Sequence, residues 1–309
     1  MSVLQAFFKL VRLPNLLFIA LTQMLFRFFI LRFAFNNTLS GNENIRLSTP
    51  LFYLLVFASV CIAAAGYIIN DYFDVNIDLV NKPSRLVIDR YIKRRWAIVL
   101  HIIFSFSGFI ISCYIGYRLG NIYIPAVNLL VIIGLWLYST TFKKKLLIGN
   151  VLISLFTAWV ILILTVSEFR FGITTHDVYW QRLLKLSFIY AGFAFIISLV
   201  REVIKDMEDM RGDVKYGCTT MPIVWGLQVS KVFAAVWIVV ITACIAAMQF
   251  YVLQLGWWFS AVYSLLTIII PLLWVLRKLY VAHSQQDFHN LSTAVKLIML
   301  TGILSMVFF

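Results

Sequence analysis

The chain has 309 residues, of which 62% are hydrophobic and only 13% carry a charge. Soluble globular domains are about half apolar and about a quarter charged, so this composition excludes that class and indicates a membrane protein with several spans. The formal net charge is +13. In a soluble protein such a surplus would suggest nucleic-acid binding, but in a membrane protein the positive-inside rule accounts for it, so no nucleic-acid partner is expected.

The apolar segments predict the architecture. Residues 1–13 form an amphipathic lead-in that we expect to lie at the membrane interface. Nine apolar stretches then reach the roughly 20 residues that a helix needs to cross a bilayer. They lie at about 14–35, 51–70, 96–117, 122–141, 147–167, 183–201, 229–250, 255–276 and 291–309. The sequence therefore predicts an all-α polytopic membrane protein with nine transmembrane helices and a single domain, residues 1–309.

The basic residues between these spans predict the orientation. Seventeen Lys and Arg residues fall in the N-terminal segment and the even-numbered loops, whereas the odd-numbered loops hold Arg46, Arg118, Arg170 and Arg182. Cytoplasmic loops are enriched in Lys and Arg. The N-terminus and the even loops are therefore predicted to be cytoplasmic, in the inner membrane of a bacterium or the membrane of an archaeon, with the C-terminus on the opposite side.

Acidic residues are rare and concentrated in two places. Nine of the 13 lie in or beside the second and sixth loops, both of which are predicted to be cytoplasmic. They are Asp71, Asp74, Asp78, Asp89, Glu202, Asp206, Glu208, Asp209 and Asp213. Each group is predicted to form an acidic helical extension of an apolar helix and is followed by a basic segment. The two groups lie about 135 residues apart, which indicates a weak internal repeat with halves at about 1–145 and 146–309.

The spacing of these acids predicts a metal site. Within residues 70–78, and again within 202–213, the acids recur at intervals of three or four. Side chains at these intervals are neighbours on one helix face, where like charges repel, so a cation is expected to bind. Ligands that are all oxygen favour Mg²⁺ completed by substrate phosphates, and the lack of nearby His or Cys argues against zinc. Two such faces would clamp a diphosphate, and nearby bases would bind its remaining oxygens.

The motifs around the acids resemble those of the UbiA superfamily of intramembrane prenyltransferases. Residues 70–78, NDYFDVNID, match the NDxxDxxxD motif that follows the second helix of that family, and NKPSR at 81–85 is similar to its N-x-P-x-R segment. Asp209 and Asp213 match the DxxxD motif after the sixth helix. The segment YSTTFK at 138–143 looks like the Y-S-x-x-x-K segment of the family. The resemblance covers essentially the whole chain.

The resemblance implies nine helices around a central cavity and the transfer of a polyprenyl group from its diphosphate to a lipid or aromatic acceptor. It implies a Mg²⁺ cofactor held by Asn70, Asp74, Asp209 and Asp213. The catalytic candidates are Asp71, Asp78, Asp206 and Lys205. The candidates for binding the diphosphate are Lys82, Arg85 and Lys143.

The second acidic motif also bears on the acceptor. Residues 202–213 fill the pattern E-x-x-K-D-x-E-D-x-x-G-D, which is similar to the branch that transfers geranylgeranyl to geranylgeranylglyceryl phosphate in archaeal-type ether lipids. An acceptor that carries a phosphate suits the many bases, with Glu202 and Lys205 as candidates for a base and an anion contact. The alternative within the family is an aromatic acceptor such as 4-hydroxybenzoate in a quinone pathway.

Two other classes of protein are compatible with a polytopic chain. A secondary transporter also has duplicated topology and membrane acids, but those acids usually lie near the bilayer midplane, and here they lie at the ends of the predicted spans. A membrane scaffold without catalytic activity leaves the two matching acid clusters unexplained. The sequence does not predict the oligomeric state or the length of the prenyl chain.

Overall fold

The computed structural model of the chain describes residues 2–35, 45–81, 86–169 and 178–309. In these ranges a short helix, α1 (Val3–Leu10), precedes nine helices that are long and apolar enough to cross a membrane. The nine are α2 (Leu13–Phe35), α3 (Thr49–Asn81), α4 (Arg94–Leu119), α5 (Tyr123–Thr140), α6 (Ile148–Glu168), α7 (Val178–Lys215), α8 (Gly226–Gln254), α9 (Trp258–Val281) and α10 (Gln285–Phe308). The predicted all-α class and the predicted number of spans are confirmed.

Two helices are much longer than a bilayer requires. Helix α3 has 33 residues and α7 has 38. At 1.5 Å per residue they measure about 50 and 57 Å, whereas the hydrocarbon core is about 30 Å thick. Both continue through their acidic segments, so the two motifs lie on helical extensions, as predicted. This extends the predicted spans and confirms that each set of acids shares a helix.

The chain divides into two compact units. One contains Met1–Lys143 and Trp159–Phe188, and the other contains Lys144–Ala158 and Ile189–Phe309. One boundary falls in the turn before α6, between Lys143 and Lys144, and the other two fall inside α6 and α7. The pseudo-repeat with halves at about 1–145 and 146–309 stays a prediction.

In the first unit, α1 packs through one face only. Ala6 and Leu10 are fully buried in an apolar cluster that includes Ile68 of α3. On the other side of the helix, Val3 and Leu4 are 73% and 62% exposed. A short helix with exposed apolar side chains suits the boundary between lipid headgroups and acyl chains, in agreement with the expected interfacial lead-in.

A buried carboxylate and a nearby arginine order the opposite end of the first unit. The Glu168 carboxylate, 3% exposed, accepts hydrogen bonds from the backbone N–H groups of Arg46 at 2.7 Å and Leu47 at 3.1 Å. The Arg46 guanidinium donates to the carbonyl oxygens of Leu119 and Phe169. Leu119 is the last residue of α4, and Phe169 directly follows α6. One arginine therefore binds carbonyl oxygens at two helix C-termini, where the carbonyls have no intrahelical donor.

In the second unit, the acidic part of α7 is held by its apolar face. Val203, Ile204 and Met207 are buried in a cluster with Val275 of α9 and Leu291 of α10. Because these positions lie on the side of the helix away from the acids, their burial fixes the direction in which the carboxylates point.

A close contact between α3 and α4 at Gly108 supplies a stability test. A Cβ atom at Gly108 of α4 would lie 2.6 Å from Ile62 Cγ1 and 3.1 Å from the Ala58 carbonyl oxygen on α3. We expect Gly108→Ala to lower the free energy of unfolding by about 1–3 kcal/mol, because the two helices must separate. Thermal unfolding in detergent, followed by tryptophan fluorescence, measures the change.

The matched control is Gly192→Ala in α7. Among the described atoms, nothing lies within 4 Å of a Cβ added at Gly192. The substitution should leave Tm unchanged or raise it slightly, because alanine favours the helix. Equal shifts in Tm for the two variants would contradict the close approach of α3 and α4.

Candidate functional site

The first acidic cluster lies on the last turns of α3. Asn70 and Asp74 are buried, at 9% and 4% exposed. Asn70 Nδ2 donates a hydrogen bond to Asp74 Oδ2 over 2.7 Å, and Lys143 Nζ donates to the same oxygen. A buried carboxylate is stable only when it is paired and hydrogen-bonded, and here an amide and an ammonium group provide both.

Lys143 is the counter-ion of this cluster. It lies in a single 3₁₀ turn, Phe142–Lys144. Burial by itself lowers the pKa of an ammonium group. The charge and the hydrogen bond of Asp74, together with Tyr138 and Asp78, outweigh this effect, so the pKa of Lys143 is raised above its ordinary value. Lys143 is therefore protonated at neutral pH and compensates the charge of Asp74. The structure thus brings Lys143 to the first acidic motif.

Arg12 is a second base at this cluster, and sequence analysis had counted it only toward the orientation. Its backbone is left-handed, with φ 52°, at the junction of α1 and α2. Arg12 Nη2 donates to Asp71 Oδ1 at 2.6 Å, and the guanidinium lies 5.1 Å from the centre of the Tyr67 ring. The attraction of Asp71 raises the pKa of Arg12 further. Nothing in the local sequence indicated a contact with α3.

The donor atoms of the cluster fit a hard cation. Asn70 Oδ1 is a buried acceptor that meets no hydrogen-bond donor in the described part of the chain. Such an atom costs about 1–3 kcal/mol unless something binds it. Together with the Asp74 carboxylate it offers the oxygen ligands that Mg²⁺ prefers. Across the described ranges, no three or more His, Cys, Asp or Glu side chains converge as a ready-made metal site.

The remaining predicted residues of the first motif differ in position. Asp78 lies one turn beyond Asp74, is half-buried and is within electrostatic range of Asp74 and Lys143. It therefore belongs to the same charged cluster. Lys82 and Arg85, which were predicted to bind the diphosphate, lie outside the described residues.

The second acidic cluster, on α7, begins with an ion-paired group. Glu202 Oε1 accepts from Lys205 Nζ at 2.7 Å and from Arg201 Nη1 at 3.2 Å. Two cations therefore share one carboxylate. Glu202 and Lys205, which were predicted to act separately as a base and an anion contact, bind each other here.

Further along α7, an amide from another helix contacts the acidic face. Asn150 Nδ2, near the start of α6, donates to Asp206 Oδ2 over 2.8 Å. Asp213 is buried at 6% exposed, and Asp209 is half-buried. Asn150 was not among the predicted site residues, because a lone asparagine at a helix start looks like an ordinary feature of helix termini.

The apolar side of the same segment carries one more polar contact. Glu208 is 5% exposed, and its Oε1 lies 3.0 Å from His289 Nδ1 on α10. This hydrogen bond ties the acidic segment of α7 to α10 on the side away from Asp206. The isolated histidine showed no motif in the sequence that would have predicted it.

Comparison with known proteins places this geometry in a family. Residues 28–299 match the UbiA prenyltransferase family. A digeranylgeranylglyceryl phosphate synthase from Methanosphaera stadtmanae is 32% identical over 260 residues, which cover 82% of this chain and 86% of that protein. A solved structure of digeranylgeranylglyceryl phosphate synthase is similar, with a TM-score of 0.64 and 25% identity over 99% of this chain and 98% of that one.

A third similarity concerns the fold alone. A UbiA homolog from Archaeoglobus fulgidus, solved with GPP and Mg²⁺, has a TM-score of 0.55 and 14% identity over 98% of this chain and 99% of that one. The resemblance seen in the NDxxDxxxD and DxxxD motifs is confirmed by the family match over most of the chain. The chain therefore belongs to the UbiA prenyltransferase family and is a membrane enzyme that crosses the bilayer several times.

Proposed function

We propose that this enzyme transfers a geranylgeranyl group from its diphosphate to geranylgeranylglyceryl phosphate, in a reaction that depends on Mg²⁺. The observation that carries the proposal is the buried pair of Asn70 and Asp74 on the matched family motif, with the half-buried Lys143 donating to Asp74. It combines oxygen ligands for a divalent cation with an ammonium group for phosphate. The 32% identity to a digeranylgeranylglyceryl phosphate synthase supports the choice of acceptor.

The metal ligands in this proposal lie on two helices. Asn70 and Asp74 on α3 are one proposed set of Mg²⁺ ligands, and Asp209 and Asp213 on α7 are a second set. When bound, Mg²⁺ would neutralise the diphosphate and stabilise the charge that develops as it leaves. The Archaeoglobus fulgidus homolog, which was solved with GPP and Mg²⁺, supports the choice of cofactor.

The bases of the first cluster have separate tasks. Lys143 exchanges its contact with Asp74 for a diphosphate oxygen, and Lys82 and Arg85 bind further oxygens of the same group. Arg12 remains on Asp71 and keeps that carboxylate oriented. Asp78 adds negative charge that attracts the cation to this end of α3.

The reaction exchanges one carbon–oxygen bond for another. The bond between the allylic carbon and the diphosphate breaks, and its electron pair leaves with the diphosphate. The acceptor hydroxyl oxygen forms the new ether bond to that carbon and loses its proton, for which Glu202 is the candidate base. Lys205 and Arg201 carry two positive charges against the single negative charge of Glu202. The surplus of positive charge suits an acceptor that carries a phosphate.

The bilayer supplies the rest of the environment. The site lies at the cytoplasmic side in this proposal, because the basic loops follow the positive-inside rule. The prenyl chains of donor and acceptor occupy the apolar interior, where the scarcity of water protects the allylic cation from hydrolysis. We propose that the protein resides in the cytoplasmic membrane of an archaeon or a bacterium.

An acceptor screen tests the proposal. Purified enzyme in lipid nanodiscs receives Mg²⁺ and geranylgeranyl diphosphate, together with geranylgeranylglyceryl phosphate, 4-hydroxybenzoate or a dihydroxynaphthoate, and products are identified by mass spectrometry. We expect the ether product from the glyceryl phosphate alone. Transfer only to an aromatic ring would instead assign the enzyme to a quinone pathway, and no transfer in any mixture would overturn the proposal.

The metal assignment predicts the behaviour of Asp74→Asn and Asp209→Asn. Each substitution keeps the side-chain size and removes one negative charge, so we expect turnover to fall by at least about a hundredfold while the protein stays folded. EDTA should abolish the activity of the wild type, and added Mg²⁺ should restore it. Activity of either variant near the wild-type level, with an unchanged requirement for Mg²⁺, would contradict the assignment.

The proposed role of Lys143 predicts a change in substrate binding. We expect Lys143→Ala to raise the KM for geranylgeranyl diphosphate by about tenfold to a hundredfold, because a charge-assisted hydrogen bond to phosphate is lost. Lys144→Ala is the matched control, since Lys144 is exposed and lies in the same turn. Equal KM values for both variants would contradict this role, and the lysines of this turn would then serve only as positive charges that anchor the loop at the cytoplasmic face.

A further inference from the structure

Asn150 is a buried polar side chain to which the proposed reaction gives no role. It lies in the first turn of α6 and is 7% exposed. Its amide nitrogen donates to Asp206 Oδ2 over 2.8 Å, in the middle of the acidic face of α7. Both residues belong to the second compact unit. A buried asparagine that meets a carboxylate of a proposed metal cluster needs a physical reason.

The first acidic cluster contains the same chemical pair. There, Asn70 Nδ2 donates to Asp74 Oδ2 over 2.7 Å, with both residues on one helix. In the second unit the amide comes from a different helix, so its sequence position gives no sign of the contact. Each unit therefore holds an aspartate whose carboxylate is fixed by a side-chain amide.

The neutrality of the amide matters for a cation site. A lysine beside a carboxylate cancels its charge, as Lys205 does for Glu202 over 2.7 Å. An asparagine N–H fixes the rotamer and the direction of the carboxylate but leaves its charge in place. Partners of this kind orient metal-binding carboxylates in proteins, and their loss weakens metal binding about 10- to 100-fold.

The position of Asn150 is itself constrained. Leu147 has a left-handed backbone, with φ 56°, which turns the chain into α6. Before this turn, the Lys144 carbonyl oxygen accepts from the Thr219 backbone N–H at 2.7 Å and from its hydroxyl at 2.9 Å. Thr219 follows α7, so the start of α6 and the turn before it are held at two points, by Asp206 on α7 and by Thr219 beyond its end.

We propose that Asn150 is a positioning residue that orients the Asp206 carboxylate for the binding of Mg²⁺ and diphosphate. The inference rests on the proposed function, because it assumes that the acidic face of α7 binds the metal. It adds to that function a residue outside both acidic motifs. Asn150 acts through Asp206 and does not contact the reacting atoms.

The first readout is metal-linked stability, which does not depend on turnover. Wild-type protein in detergent is heated with inorganic diphosphate and increasing Mg²⁺, and the concentration that gives half of the maximal rise in Tm is recorded. We expect Asn150→Ala to need about tenfold more Mg²⁺ than the wild type. In prenyl transfer, the same variant should need more Mg²⁺ for half-maximal rate.

The control is a hydrogen bond between the same two helices. Thr157 Oγ1 of α6 lies 3.2 Å from Ser198 Oγ of α7. Thr157→Val removes this contact about two turns away from Asn150. It should lower Tm without changing the Mg²⁺ requirement, so a shift in Mg²⁺ requirement equal to that of Asn150→Ala would overturn the proposal.

A swapped pair separates positioning from structural support. The double variant Asn150→Asp, Asp206→Asn restores an amide–carboxylate hydrogen bond but moves the carboxylate to α6. We expect it to recover Tm and to keep the weakened Mg²⁺ response. Recovery of both would overturn the proposal, because the hydrogen bond would then serve stability alone. The double variant also decides the matter if Asn150→Ala does not fold.

The Mg²⁺-dependent rise in Tm of the wild-type protein distinguishes a failure of this inference from a failure of the proposed function. If Mg²⁺ and diphosphate raise the wild-type Tm but Asn150→Ala responds at the same concentrations, only the role of Asn150 is overturned. If the wild type shows no Mg²⁺-dependent rise, the proposed metal site and the role of Asn150 both fail. A rise in the wild type that Asn150→Ala shows only at about tenfold higher Mg²⁺ supports the inference.

Discussion

A carboxylate buried at the end of a membrane helix must meet positive charge, and Asp74 meets Lys143. Removing such a charge from water costs several kcal/mol unless hydrogen bonds and an opposite charge offset the loss. Three features bring polar groups to this point. They are the continuation of α3 beyond the bilayer, the turn that carries Lys143, and the left-handed backbone at Arg12. In the proposed reaction, Mg²⁺ would supply beside Asp74 the positive charge that Lys143 supplies here.

The second unit meets a similar requirement in a different way. Its acidic face lies on α7 and is fixed by the burial of the apolar face of that helix against α9 and α10. Glu202 is neutralised by bases of its own helix, whereas Asp206 is oriented by the neutral amide of Asn150. The contact between Glu208 and His289 holds the other side. The hydrogen bond from Asn150 orders this helix without itself adding a positive charge to the acidic face.

The fold could be predicted because apolar length and residue spacing are local properties. A run of about 20 apolar residues is enough to predict a span, and acids at intervals of three and four are enough to predict a shared face. The spacing of the acids also predicted that α3 and α7 continue as helices into their acidic segments. It did not predict the residues at which they end, because mean hydropathy falls at the first charged residue while helical hydrogen bonding continues. Arg12 and Asn150 were missed for a different reason. Their contacts join residues far apart in sequence, and no local pattern encodes which helices pack together.

The most direct test of the account is a structure of the protein in lipid with Mg²⁺ and an unreactive thio analogue of geranylgeranyl diphosphate. The account predicts a metal ion about 2.0–2.1 Å from Asn70 Oδ1 and from an Asp74 oxygen, with Lys143 moved from Asp74 to the diphosphate. A diphosphate bound elsewhere, with Lys143 still on Asp74 and no metal on Asn70, would contradict it.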